Sequence, residues 1–266
     1  MFVSTLSLLV MTKQRKASFF CKTKTTFTKS INVKKCMNLC KNSLYCSGRF
    51  VHKFSTIKNI MKLTYFNICG KAEPARLVLA AGNVPYKYVG INFHEWGKIK
   101  PSTPLGQLPI LEFTLNGKPM VMPQSVAITK YLAKEHNLDG KNNLESALID
   151  VVVQTVLEIF DFYYDVLYHL SEVDKIKQMP ILKDERIPQT ISKLKQLMDM
   201  YNPSGKTPYF VGDQLTLADL FVFYALDQFS KINPNIAEEC DEVIKKNWDA
   251  VANTPSIAEY MKTRGY

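Results

Sequence analysis

The chain has 266 residues, enough for one large or two ordinary domains, and a formal net charge of +10. A surplus of that size would point to nucleic acid or an anionic membrane, but it is confined to one end. Residues 1–60 hold twelve Lys or Arg and no acid, leaving 22 basic against 24 acidic residues beyond them, a net of −2, so the electrostatic case for either partner fails.

The basic leader is rich in Lys, Ser, Thr and Asn and shows no sustained helical or strand period. Transit peptides are acid-poor and Ser-rich but also Arg-rich and amphipathic, whereas here ten Lys accompany two Arg. Met1–Val10 is apolar but lacks a basic flank and a small-residue cleavage site, and it is too short to span a membrane. Residues 1–60 therefore read as disordered, cleaved or not translated, with Met61 a natural start. Four of the six cysteines (Cys21, Cys36, Cys40, Cys46) fall here in no zinc spacing, and His52 does not complete one. Cys69 and Cys240 alone are too few for a disulfide scaffold and imply a reducing compartment, the cytoplasm. The mitochondrion is the alternative if the leader acts as a transit peptide.

From Lys62 the pattern is legible. Lys62–Phe66 reads as a strand, Asn67–Lys71 as a turn containing Gly70, and Ala72–Gly82 as a helix with Pro74 in its first turn. Tyr86–Ile91 is a second strand, followed by a loop carrying Trp96. Pro109–Leu115 and Lys118–Met122 flank Asn116-Gly117, the preferred two-residue hairpin turn, and Pro119 marks the last strand as a sheet edge. Gln124–His136 returns to helix. Residues 61–139 thus form a small α/β unit, closed by the polar stretch Asn137–Asn143. Residues 140–266 read as all-helical: Leu144–Leu170, Lys183–Tyr201, Thr216–Phe229, Glu238–Ala252 and Ser256–Thr263. Thr216 and Asp219 form a capping box, with Leu215 placed to staple onto Leu220.

One segment breaks the rules. Gln107-Leu108-Pro109-Ile110-Leu111 reads as a central strand, yet proline cannot donate to a sheet ladder. A cis bond between Leu108 and Pro109 at the strand entry resolves the conflict by turning the backbone of Leu108 outward. Fifteen residues on from Pro109, Gln124-Ser125 opens a helix whose first N–H groups are free to meet an anion. Outward backbone beside a helix N-terminus is equipment for gripping a peptide-like ligand.

Several separated motifs carry a resemblance. Lys62-Leu63-Thr64-Tyr65-Phe66 with Gly70-Lys71-Ala72-Glu73, then Gln107–Leu111, Gln124-Ser125 and the Gly212–Asp219 box, resemble in order and spacing the cytosolic glutathione S-transferases. The likeness is to the sigma class, which includes the glutathione-dependent prostaglandin D synthases, and it covers residues 61–266. It implies a thioredoxin-like domain that binds glutathione as co-substrate, a helical domain that supplies the pocket for a small hydrophobic electrophile, and a homodimer. Tyr65 would be catalytic. A free thiol with a pKa near ~8.5 is little ionised at neutral pH, and a phenolic O–H donated to the thiolate would favour it. Leu108 and Pro109 would pair with the cysteinyl unit, and Gln124 and Ser125 would take the γ-glutamyl carboxylate. Trp96 and Lys100 match positions near the glycyl carboxylate, and Phe66, Phe160 and Tyr163, with Tyr164 nearby, match positions that shape the hydrophobic site.

Three residues depart from the sigma pattern. Lys71 stands where Arg is common, and an ammonium does not reproduce a planar guanidinium fork. Gln107 replaces a Lys that precedes the residue before the cis proline. Glu158 replaces an Asp that reaches from the long helix to the partner's ligand. The four histidines (His52, His94, His136, His169) lack a carboxylate or a second His at ligand spacing, so no metal is expected. Cys69 has no CxxC partner, which excludes a dithiol redox site. The leading reading is glutathione conjugation to electrophiles. The alternatives are a glutathione-dependent prostaglandin isomerase or peroxidase, and a non-catalytic, crystallin-like or ligand-binding relative.

Overall fold

A computed structural model describes residues 61–265, and the expectations for the leader and its cysteines lie outside them. Strand β1 (Met61–Phe66) runs parallel to β2 (Tyr86–Ile91) and antiparallel to β3 (Ile110–Leu115), which pairs antiparallel with β4 (Lys118–Pro123). The order β2-β1-β3-β4 leaves β4 at an edge, where Pro119 withholds no needed donor. Asn116 and Gly117 both have positive φ (52° and 77°), the primed turn that suits the twist of a two-residue hairpin.

Helices α1 (Glu73–Ala81) and α3 (Ser125–Glu135) pack on each other beside this sheet. Leu63 and Leu111 from the strands and Leu77, Leu79, Ile128 and Leu132 from the helices are all but fully buried. This is the thioredoxin-like arrangement. Between β2 and β3 the structure forms α2 (Phe93–Ile99), where the sequence suggests only a loop around Trp96. Its cause is local: the Asn92 side chain accepts from the backbone of Glu95, and the Glu95 carboxylate accepts from the backbone of Asn92 at 3.0 Å, a reciprocal capping box.

The second half is helical: α4 (Asn143–Tyr164), α5 (Glu172–Pro180), α6 (Ile187–Tyr201), α7 (Leu217–Phe229), α8 (Ile236–Glu239), α9 (Glu242–Ala252) and α10 (Pro255–Thr263). Helix α5 departs from expectation. Ser171 caps it by accepting from the Asp174 N–H, and a π-helical stretch, Ile181–Arg186, carries the chain past Pro180 into α6. A break at Cys240-Asp241 also divides the single helix expected over Glu238–Ala252, because the Asp241 side chain starts α9 afresh by accepting from Val243. Helix α7 is buried at every position but Asp227, so it is the central helix of this half, and it packs on α4 and α1.

Candidate functional site

The strand register places the site. Thr64 lies opposite Ile110, and Ile110 opposite Pro123. One step further along, Tyr65, Pro109 and Gln124 stand level across the ends of three adjacent strands. The Leu108–Pro109 bond is cis, as the strand-entry argument requires, and Ile110 is the first strand residue after it. Gln124 occupies φ 75°, a left-handed conformation that a non-glycine residue holds only when its surroundings impose it. There it sits as the N-cap residue of α3 without a side-chain cap bond, and Ser125 begins the helix. The Gln124 amide reaches Gln107 at 3.5 Å, so Gln107, Leu108, Pro109, Gln124 and Ser125 share one edge. No acidic side chain occupies the first turn of α3, leaving its positive dipole end uncompensated.

Tyr65 is 6% exposed, and its hydroxyl oxygen accepts from the Lys71 backbone N–H at 2.9 Å. Burial pushes the phenol up to about 12, against the opposing pull of the Lys71 N–H and the Arg76 guanidinium. Tyr65 is therefore a neutral O–H donor at physiological pH. The turn that brings Lys71 back to it depends on Gly70, at φ +48°, where an added Cβ would stand 2.5 Å from the Tyr65 oxygen. The Lys71 ammonium plays no part in that contact. It lies at 3.5 Å from Asp161 and 5.5 Å from the centroid of the Tyr164 ring.

Arg76 has no counterpart in the sequence-based expectations. Its guanidinium is 1% exposed, donates to the carbonyls of Ile68 (2.7 Å) and Cys69 (2.6 Å), and lies 5.8 Å from the Tyr65 ring centroid. It also pairs with buried Glu73 at 2.9 Å. Only the i, i+3 spacing of Glu73 and Arg76 could have signalled it, and that spacing usually marks a solvated pair. Cys69, at the head of the turn, is buried; burial pushes its thiol above the ordinary cysteine value, and the Lys231 ammonium lies 3.5 Å from its sulfur.

Aromatic residues flank Tyr65. Phe66 meets it at 5.4 Å between centroids, stacks on Phe93 at 4.8 Å and meets Trp96 edge-on at 5.4 Å. Lys100 is exposed, and its stem passes Gly106, one residue before Gln107. Phe160 and Tyr163, expected in the wall of a hydrophobic site, are 2% and 1% exposed. Tyr163 donates to the Gln228 carbonyl and Phe160 stacks on Tyr224, so both rings are packed inside the helical half. At that helix end Phe162 and Tyr164 are half-buried and Tyr168 is exposed. Glu158 does not join the cluster: it is exposed and pairs with Lys193 at 2.7 Å. His169 corrects another expectation, because it meets Asp165 at 2.8 Å, an exposed i, i+4 pair. Among the described residues no group of His, Cys, Asp and Glu is arranged to hold a metal. No helix described is long and apolar enough to cross a membrane.

Residues 61–134 match the glutathione S-transferase N-terminal domain, and residues 158–264 match the C-terminal domain. The chain is 33% identical over 204 residues to glutathione S-transferase P of Caenorhabditis elegans, a match covering 77% of this chain and 93% of that protein. It is 32% identical over 204 residues to S-crystallin SL11 of Nototodarus sloanii, covering 76% and 95%. Among solved structures, a sigma class GST of Fasciola hepatica superposes with a TM-score of 0.69 at 25% identity, over 78% of this chain and 97% of that one. Both domain matches and a relative 33% identical over 77% of the chain show that the chain belongs to the glutathione S-transferase family.

Proposed function

We propose that the protein conjugates glutathione to small hydrophobic electrophiles, with Tyr65 as the catalytic residue. One observation carries the assignment: a buried, neutral phenol, held by the Lys71 N–H at 2.9 Å, stands level with the cis proline and the start of α3. Residues 61–139 would be the glutathione-binding domain. The outward backbone of Leu108 would pair with the cysteinyl unit of glutathione. Gln124, Ser125 and the free N–H groups of α3 would take the γ-glutamyl carboxylate. Gln107 would contribute its amide, Trp96 and Lys100 would meet the glycyl end, and Lys71 would act through its backbone. Phe66, backed by Phe160 and Tyr163, would border the pocket for the electrophile.

In the reaction, the thiol of glutathione loses its proton to solvent and the Tyr65 O–H donates to the resulting thiolate. Lowering the thiol pKa by ~2 units requires roughly 2.7 kcal/mol, within reach of one charge-assisted bond in a dry site. The sulfur then forms a bond to the electrophilic carbon of the second substrate, and the leaving group departs with the displaced electron pair. Holding both substrates in one cleft supplies the proximity.

The family's dimeric habit supports a homodimer, in which the exposed Glu158 would be released from Lys193 to face the partner's ligand. Two free, buried cysteines among the described residues support a reducing location such as the cytoplasm. Conjugation of glutathione to an aryl halide by the full chain, with Tyr65→Phe beside it, tests the reading. The variant is expected to lose about two orders of magnitude in kcat/KM near neutral pH, and an undiminished rate would refute the role of Tyr65. The likeness to an S-crystallin sustains a second reading, a ligand-binding relative without turnover. Glutathione binding with no conjugation to any electrophile would select it.

A further inference from the structure

We propose that Tyr224 and Tyr164, both on the helical domain, are positioning residues that strengthen the hydrogen bond made to Tyr65 by polarising the Gly70–Lys71 peptide. The inference rests on the assignment of Tyr65 given above. The Tyr224 hydroxyl donates to the Gly70 carbonyl at 3.1 Å. That carbonyl belongs to the same peptide unit as the Lys71 N–H, which donates to the Tyr65 oxygen at 2.9 Å. Tyr224 is also hydrogen-bonded to Tyr164. A phenol has one proton, and that of Tyr224 is committed to Gly70, so Tyr164 must be the donor between them. The four donations run in one direction: Tyr164 O–H to Tyr224, Tyr224 O–H to the Gly70 carbonyl, the Lys71 N–H to Tyr65, and the Tyr65 O–H toward the ligand sulfur. Hydrogen bonds aligned head to tail polarise one another, and a low-dielectric setting strengthens the effect.

The surroundings fit a fixed relay. Tyr224 is 2% exposed, and Phe160 stacks on its ring at 4.8 Å. Burial pushes both Tyr164 and Tyr224 well above the ordinary tyrosine range, so neither ionises where the protein works. Arg76, Tyr88 and Tyr168 act on Tyr65, the Lys71 ammonium, Tyr163 and Tyr168 on Tyr164, and Glu73 on Tyr224, and a Tyr→Phe change in the relay removes none of them. No sequence rule links these tyrosines to Tyr65. Tyr224 lies 154 residues from Gly70 and Tyr164 lies 60 from Tyr224.

Tyr224→Phe and Tyr164→Phe, each a loss of one oxygen from a retained ring, test the relay. The ultraviolet absorbance of the bound thiolate gives the pKa of glutathione in the binary complex. It is expected to rise by about half a pH unit in Tyr224→Phe and by roughly half as much in Tyr164→Phe. On the acid side of that pKa, kcat/KM falls about threefold in Tyr224→Phe, and on the alkaline side it matches the wild type. In the ligand-free protein the Lys71 amide proton moves upfield in both variants, more in Tyr224→Phe. A merely structural role would instead raise KM for glutathione in Tyr224→Phe, leave the thiol pKa in place, and give no effect in Tyr164→Phe, where the ring under the Lys71 ammonium is kept and the lost hydroxyl is bonded to Tyr224 rather than to the turn. That pattern, or unmoved Lys71 resonances, overturns the relay while Tyr65→Phe still abolishes the thiolate signal. If Tyr65→Phe leaves the thiolate signal at wild-type strength, the assignment of Tyr65 falls first, and the relay falls with it.

Discussion

Gly70 and Tyr65 are locked together more tightly than their five-residue separation suggests. An alanine at 70 would face two penalties at once. Its φ of +48° costs an L-residue roughly 1–2 kcal/mol, and its Cβ would stand 2.5 Å from the hydroxyl that the turn presents. The first penalty is thermodynamic, the second chemical, because relief requires the phenol or the Lys71 N–H to move. Gly70→Ala is therefore expected to unfold in urea with a loss of about 1–2 kcal/mol and to lower kcat/KM more than about tenfold. Stability and steady-state kinetics on one preparation check both. Tyr65 makes a second prediction, this one about pH. The phenol's value of about 12 lies above its ordinary 10.0, so it keeps its proton through pH 10 and remains a donor. The profile of kcat/KM should rise once, through the thiol pKa, and stay level to pH 10 with no falling limb from Tyr65. In Tyr65→Phe the rise should move up toward the free-thiol value of ~8.5.

At the scale of elements, what was legible followed local rules, but not every local signal stood out. The hairpin at Asn116-Gly117, the edge strand marked by Pro119, and the cap of α7 were all readable because each signal sits within four residues of its effect. Helices α2 and α5 had equally local signals, Asn92 with Glu95 and Ser171 with Asp174, but short apolar faces hid them. The cap of α7 gives a test. Asp219 is fully buried and accepts from the Phe210 N–H (2.9 Å), the Thr216 N–H (2.7 Å), the Thr216 hydroxyl (2.9 Å) and the Asn247 amide (2.8 Å). Thr216→Ala removes one donor and the N-cap, and should cost about 1–2 kcal/mol in chemical denaturation. Asp219→Ala strands every donor at once and should cost about 3–5 kcal/mol, a large part of a domain's stability, so its yield of folded protein should drop as well.

At the scale of the whole molecule, a buried charged network ties the two halves together behind the site. Glu73 and Arg76 of α1 are 1% exposed or less, while Arg264, just past α10, is 14% exposed and pairs with Glu73 at 3.0 Å and with Asp227 of α7 at 2.7 Å. Tyr260 donates to the Glu73 carboxylate at 3.0 Å. Nothing in the sequence pattern announces this, since Glu73 and Arg264 stand 191 residues apart and each reads alone as a surface charge. Its energetics are asymmetric: such a network adds little over an apolar replacement, but removing one member leaves its partners buried with their charge poorly met. Arg264→Met keeps the stem and deletes the charge, leaving Glu73 with Arg76 and Tyr260 while Asp227 keeps the Gln228 amide. We expect a loss of about 3 kcal/mol, at the low end for breaking a buried pair because both acids retain a partner. The loss should change little with added salt, since buried pairs are poorly screened. It should also reach the site, because Arg76, which answers to Glu73, holds the carbonyls of Ile68 and Cys69 in the turn before Gly70. Urea denaturation at low and high salt, together with KM for glutathione, reads both effects. Full stability in Arg264→Met would show that the network joins the halves without holding them.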